Sequence, residues 1–383
     1  MEFDSASPLR VTFLIRSLDY GGAESQLITL ADGLQQRSEF ETSILTFYPG
    51  GRLEHRLSEA RVPIVTVNKR SRWDLAGFAA RLVQAIRLSR PHVVYGFLDT
   101  PNVMLVLLKP FLGDLGIVWG IRSSYVDWSQ YDWLARGTFR VSRYLSRFAD
   151  RVVINSKAGY DLFVDQGYPQ ENLCVVANGI DTDQFIPQPD LRHTQRHQLY
   201  LDHHAWLIGI VGRLDAMKDH PSFIAAAALS LRERNDLRFL CVGDGREDYL
   251  EQLRMQADEA GIADRLQWLR SSDDMVSIYN GLDLLTLTSV GEGFPNVVGE
   301  AMACGVACVV TDVGDAARIV GGTGIVVPPR DPHAMACGWL AMIERLEKNR
   351  EAIARQSRAR IIAHFDRERL IESSANVLRT ACA

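Results

Sequence analysis

The stretch LDLLTLTSVGEGFPNVVGEAMACGVACVV, residues 282–310, decides how the chain is read. Its first part, Leu282 to Leu287, is a largely apolar run of strand length. Gly291-Glu292-Gly293-Phe294-Pro295 is a turn, and Pro295 falls in the first turn of a helix, where its missing N–H costs nothing. Gly305 ends that helix and Val306 to Val310 returns as a second strand. Two carboxylates are fixed by this pattern. Glu292 lies on the loop at the helix mouth, and Glu300 lies inside the helix, about 1.5 turns beyond Pro295. The backbone N–H groups of such a mouth suit an anion. A capped helix with one exposed glutamate is the plain alternative, and the rest of the chain decides between them.

Outward from this unit, strands and helices alternate along nearly all 383 residues, the pattern of parallel sheets covered on both faces. The first half carries strands at Val11–Ile15, Thr42–Thr46, Ile64–Val67, His92–Tyr95, Ile117–Gly120, Val152–Ile154 and Leu173–Val176. Asn178-Gly179 opens a polar stretch, through Pro187 and Pro189 to His204, that reads as an interdomain connection. The pattern then restarts with strands at Trp206–Val211, Leu237–Val242, Leu266–Leu269, Leu282–Leu287, Val306–Val310 and Ile325–Val327. Helical patterns follow at Pro332–Leu346, Arg350–His364 and Arg367–Arg379. The expected domains are 8–190, 191–364 and a closing helix over 365–383.

Composition is that of an ordinary globular protein, 47% hydrophobic and 23% charged. Met1-Glu-Phe-Asp-Ser lacks the basic and apolar regions of a signal peptide. No apolar run reaches the length of a membrane span, and Lys109 interrupts Val103–Leu108. A cytoplasmic protein is expected. The six cysteines form no CxxC pair, and Cys304 and Cys308 read as small buried hydrophobes. The net charge of −5 is uneven: residues 61–151 hold 14 Lys+Arg and 6 Asp with no Glu, leaving −13 on the remainder. That basic part is also aromatic. A solvated helix face and a contact with an anionic surface both fit it, whereas no nucleic-acid motif accompanies the charge.

Four loops at strand ends carry the chemistry. Gly21-Gly22 follows the first strand. Gly212-Arg213 with Lys218 follows the first strand of the second half, and one guanidinium with one ammonium there suits a diphosphate. Gly243-Asp244-Gly245 follows the next strand, but Arg246-Glu247-Asp248 supplies no third glycine, so NAD binding is poorly supported. The Glu292–Glu300 unit is the fourth. Together they point to a nucleotide with a diphosphate, its phosphates on the cations and helix mouth, and its ribose hydroxyls on a carboxylate.

The chain at this point resembles glycosyltransferase family 4. Gly21-Gly22-Ala23-Glu24, Asn178-Gly179-Ile180-Asp181 with Phe185, Gly212-Arg213-Leu214 with Lys218, Val242-Gly243-Asp244-Gly245, Glu292-x7-Glu300 and Thr311-Asp312-Val313-Gly314 before Pro328 carry the likeness. They stand in the family's order over nearly the whole chain. The resemblance implies an α/β protein of GT-B architecture: two facing Rossmann-like domains, a deep interdomain cleft, and C-terminal helices packing back on the first domain. It implies a retaining transfer of sugar from a nucleotide-sugar, UDP-linked by preference and GDP-linked as the second option, to a glycan or lipid-linked acceptor in surface polysaccharide or glycolipid assembly. Arg213 and Lys218 match the pair that neutralises the leaving diphosphate, Glu300 the ribose ligand, and Glu292 the loop carboxylate beside the donor sugar. Backbone at Gly212, Gly243, Gly293, Phe294 and Asn296 would line the donor, and Gly22 would close over the phosphates.

Many relatives carry a histidine after the strand ending near Gly120, where this chain has Ile121-Arg122. Arg122 is a contact candidate for the acceptor or a donor phosphate, and Asp127 and Asp99 are base candidates. Asp181-Thr182-Asp183 is formally a metal motif of another glycosyltransferase architecture. Here it reads as structural, and no metal or other cofactor is expected. His193, His197, His203 and His204 read as part of a solvated connection. The basic first domain would rest on an anionic inner leaflet. A GT-B-shaped nucleotide-sugar epimerase and an idle sugar-nucleotide-binding partner of a synthase remain as alternatives, with an NAD oxidoreductase last.

Overall fold

The computed structural model describes residues 7–19, 21–59, 61–71, 73–122, 141–201 and 204–382. They form two compact units, Met1–Gly179 with Arg367–Ala383, and Ile180–Asp366. The first break therefore falls at Gly179–Ile180 rather than after residue 190, and the second at Asp366–Arg367 rather than after 364. Hydrogen bonds explain both. Gln26 holds Gly179 in the first unit by donating to its carbonyl and accepting from its N–H, each at 2.8 Å. Ile180 donates instead to the Phe365 carbonyl at 2.8 Å. Arg358 then pins the next turn of chain to the second unit, reaching the carbonyls of Thr182 at 2.9 Å and Phe185 at 2.7 Å.

A second correction concerns the stretch taken for a solvated connection. Pro189–Gln198 is a helix, with proline in its first turn. Its sequence has no apolar stripe, so periodicity does not reveal it. It is held by charge: Arg192 and Arg196, four apart on one face, both reach Asp283, at 2.6 and 2.9 Å. Arg350 adds a third guanidinium at 2.7 Å and the Leu207 N–H a fourth donor at 2.8 Å. Burial alone would favour the neutral acid here. The three arginines outweigh it and hold the Asp283 carboxyl below the usual aspartate range.

The first unit is a seven-stranded sheet in the order β3-β2-β1-β4-β5-β6-β7. The strands are β1 Leu9–Ile15, β2 Phe40–Thr46, β3 Ile64–Thr66, β4 Val93–Phe97, β5 Gly116–Ile121, β6 Arg151–Ile154 and β7 Leu173–Val175. All described pairings are parallel. Buried residues fill both faces, as a doubly covered sheet requires. The apolar run Val103–Leu108 lies in the helix Asp99–Leu112, half against this sheet. The last helix, Arg367–Thr380, joins the same core through Leu370, Ile371, Ala375 and Leu378. It lies so close to the helix Gly22–Gln35 that a Cβ on Gly33 would meet Ile371 Cδ1 at 2.1 Å.

The second unit repeats the plan with six strands, in the order β10-β9-β8-β11-β12-β13. They are β8 Trp206–Val211, β9 Leu237–Val242, β10 Leu266–Leu269, β11 Leu284–Leu287, β12 Ala307–Thr311 and β13 Ile325–Val327. The helical patterns over 332–346 and 350–364 form one run, Pro332–Phe365, broken by a non-helical Asn349. Its buried Trp339 donates to Thr286 of β11 at 2.9 Å. Among the described residues no helix is long and apolar enough to cross a membrane.

Candidate functional site

In the second unit β8 and β11 are neighbours, while the strands that follow each of them run to opposite sides of the sheet. A crevice opens at such a switch point, beyond the carboxyl ends of the strands. The loops after β8 and β11 meet there and are stitched together. The Val290 N–H donates to the Met217 carbonyl at 2.9 Å, and the Thr288 hydroxyl to the Lys218 carbonyl at 2.7 Å. Asp215 caps the short turn that presents Lys218.

This stitching places Lys218 Nζ 2.5 Å from Glu292 Oε1, with only 18% and 11% of the two side chains exposed. The Ser289 hydroxyl donates to the same oxygen at 2.7 Å. Glu292 is thus a fixed, partly desolvated carboxylate and not a mobile surface acid. The loop behind it has no room to spare. Gly314 is left-handed (φ 54°), and a Cβ there would stand 2.4 Å from the Glu292 carbonyl. Gly243 makes the equivalent approach after β9, its missing Cβ 1.9 Å from the Gly212 carbonyl. Arg213 differs from Lys218: its side chain is 70% exposed and only 3.7 Å from Asp215, so it is open to another partner. His220, two residues past Lys218, is sealed, and burial pushes its pKa down to about 4, which leaves the local positive charge to the lysine.

Glu300 sits on the short helix Asn296–Ala303, as the sequence indicates. Its Oε2 accepts from the hydroxyl of Tyr279 at 2.6 Å. Tyr279 is fully buried; burial, then the charge of Glu300, raises its pKa well above the ordinary value, so it stays a donor. Sequence reasoning missed this residue, which lies on an unassigned helix, Met275–Gly281, just before β11. The ring of Phe185 meets Tyr279 edge-on at 5.9 Å, a contact that only the fold shows. The Ile180–Phe185 stretch therefore contributes packing around the Glu300 helix. Ile180 adds to it, since a Cβ on Gly299 would meet Ile180 Cγ1 at 2.7 Å. Asp181 accepts from the N–H groups of Asp183 and Gln184 at 3.1 and 2.9 Å, a local turn.

Other candidates are placed as follows. The Phe294 side chain is buried against Phe365, ring centroids 5.4 Å apart, so only its backbone is a candidate contact. Gly293 accepts from the Asp315 N–H at 2.9 Å, and Asn296 begins the helix after Pro295. Cys304 and Cys308 are buried thiols whose pKa burial raises. In the first unit Gly22 begins its helix. A Cβ on the preceding Gly21 would meet only the Glu24 carboxylate, which folds back toward it. Asp99 begins the helix after β4; its residue is exposed, but partial burial of the carboxyl raises its pKa. Arg122 follows β5 at the same end of the sheet. Asp127 lies outside the described residues.

Two family models match the chain. The model for glycosyltransferase family 4 matches residues 20–184, and that for glycosyl transferases group 1 matches residues 205–345. A D-inositol 3-phosphate glycosyltransferase of Corynebacterium urealyticum is 33% identical over 201 residues, 49% of this chain and 47% of the relative. The chain thus spans about half the length of the curated relatives of this kind. An alpha-1,4-N-acetyl-D-galactosaminyltransferase of Campylobacter jejuni, named for a diNAcBac-PP-undecaprenol-linked substrate, is 25% identical over 309 residues, 77% of each chain. Among solved structures, Anabaena HepE in complex with UDP-glucose superposes with a TM-score of 0.87 at 24% identity, over 97% of this chain and all of that one. The same protein with UDP gives 0.85 at 25% identity, with the same coverage of both chains.

Proposed function

The chain belongs to the family 4 glycosyltransferases, and from that premise we propose that it moves a sugar, with retention, from a nucleoside-diphosphate sugar to a glycan or lipid-linked acceptor. The observation that carries this reading is the pairing of Lys218 with Glu292 across the loops of the switch point, with the Tyr279-anchored Glu300 on the helix that follows Glu292. Glu300 takes the ribose hydroxyls. Lys218 and the open Arg213 take the diphosphate, whose charge grows as its bond to the anomeric carbon breaks. Glu292, already desolvated, faces the sugar, orienting its hydroxyls and stabilising positive charge at the anomeric centre. Nothing in this scheme uses a metal ion: two cationic side chains occupy the role a divalent cation would have. A UDP-sugar is the favoured donor, since UDP and UDP-glucose are the ligands of the Anabaena neighbour. A lipid-linked acceptor accords with the substrate in the name of the Campylobacter relative.

The test is NMR of the products formed from a UDP-sugar and candidate acceptors. Expected is a product with the donor's anomeric configuration, formed equally in excess chelator, and an unchanged sugar configuration in donor incubated alone. An inverted product removes the retaining assignment, and epimerised donor makes the protein an epimerase.

Membrane contact is part of the same proposal. Leu88, Leu107, Phe111, Tyr144 and Phe148 are exposed in the first unit. They are joined by cations: Arg87 donates to the Phe111 carbonyl at 2.7 Å, Lys109 to that of Phe148 at 3.0 Å, and Arg147 lies 4.4 Å over the Tyr144 ring. An apolar patch laced with positive charge suits an anionic bilayer. The protein should co-sediment with vesicles rich in anionic lipid at low salt and not with neutral ones. Failure to sediment with either would point to a soluble acceptor.

A further inference from the structure

Arg122 is a half-buried guanidinium of the first unit with no carboxylate partner among the described residues. It stands at the carboxyl end of β5, stacked on Phe97 with 4.4 Å to the ring centroid. Of its five N–H donors, one goes to Asn178 Oδ1 at 2.9 Å and one to the Tyr95 hydroxyl at 3.3 Å. Both acceptors are neutral and both residues are buried. Its Nε is sealed from solvent with no partner. No carboxylate among the described residues pairs with it, and burial pushes its pKa down. Arg196 in the second unit shows the usual solution: burial lowers its pKa too, but Asp283 stands 2.9 Å away. Burying a cation without a counter-charge costs several kcal/mol, and such a cost persists where a ligand supplies the anion.

A second unmet group lies beside it. Asn155 donates its amide to the Arg122 carbonyl at 3.3 Å, which leaves the buried Asn155 Oδ1 without a donor. The two needs are complementary: a negative group for the guanidinium and a hydroxyl for the amide oxygen. We propose that Arg122, with Tyr95, Asn155 and Asn178 around it, forms an anion site for a phosphate or carboxylate carried by a hydroxylated acceptor. This rests on the glycosyltransferase reading, because that reading makes the second ligand an acceptor. It narrows the acceptor to an acidic polyol, such as a phosphorylated or carboxylated sugar unit. Arg122 binds and orients in this scheme; no bond is made or broken on it.

The test uses the full chain with inorganic phosphate as probe, read as a thermal shift against chloride at equal ionic strength. It is run in an Arg213→Ala background, so that the exposed donor guanidinium does not report, while Lys218 stays paired with Glu292. Phosphate should stabilise Arg213→Ala. Adding Arg122→Gln should weaken its apparent affinity by about tenfold or more, the scale of a lost charge-assisted pair. Arg122→Lys, which keeps the charge but not the planar fork, should retain part of the shift, and it serves as the readable variant if the glutamine protein does not fold. UDP should stabilise Arg122→Gln as it does wild type. A phosphate shift that survives Arg122→Gln overturns the site. A UDP shift lost in Arg122→Gln gives the guanidinium to the donor and overturns the acceptor assignment. Wild-type protein unmoved by any nucleotide fails the glycosyltransferase reading instead, a result the phosphate arm does not share.

Discussion

Lys218→Ala is expected to lower kcat by about 10²- to 10³-fold, the scale of removing one preorganised group that meets developing charge. The lysine answers the charge of the departing diphosphate, so the loss should appear in kcat as well as in donor affinity. The same change has a structural consequence that must be separated from the chemical one. Glu292 is 11% exposed at its side chain and would keep only the Ser289 hydroxyl on its Oε1. Breaking a fully buried pair costs about 3–5 kcal/mol, so this partly exposed one should lose rather less. Lys218→Met combined with Glu292→Leu removes both charges and should recover much of the melting temperature while leaving transfer abolished. Initial rates and thermal melts on the same preparations read both effects. Recovery of activity along with stability in the double variant would mean that the pair is only a structural tie.

The largest effect on stability is expected at Asp283. Asp283→Asn keeps the shape of the side chain but leaves Arg192, Arg196 and Arg350 facing a neutral amide. A loss of about 3–5 kcal/mol should follow, seen as a lower midpoint in denaturant. It should carry a pH signature. The folded carboxyl ionises below the usual range, so the wild-type advantage is complete above the ordinary aspartate pKa of about 3.9. The advantage should shrink as the pH falls through the lowered folded value. A variant with wild-type stability at neutral pH would contradict this description of the network.

These two sites also show what a single sequence makes legible. Strand β11, the helix carrying Glu300, and β12 follow from local pattern: an apolar run, a Gly/Pro turn, a glycine stop. Loop residues such as Gly212, Gly243 and Glu292 follow from their place after strands. The helix Pro189–Gln198 does not, because its burial is ionic and its partner Asp283 lies 91 residues beyond Arg192. Tyr279 was hidden for a related reason. An ordinary buried tyrosine has no mark in sequence until the fold sets it against Glu300. The break at Gly179–Ile180 depends on which carbonyls and side chains those two residues meet, and composition carries no record of that. In Arg122 the sequence shows the cation and only the fold shows that its charge goes unanswered.

The central claim is that the loops after β8 and β11 hold a nucleotide-sugar, with Glu300 on its ribose. A thermal-shift titration with UDP-glucose, run beside GDP- and ADP-sugars on wild type and Glu300→Ala, tests it most directly. A donor present at 100 times its dissociation constant should stabilise the wild-type protein by about 2.7 kcal/mol, and Glu300→Ala should show no shift at that concentration. Equal stabilisation of both proteins, or no stabilisation of wild type by any sugar nucleotide, would contradict it.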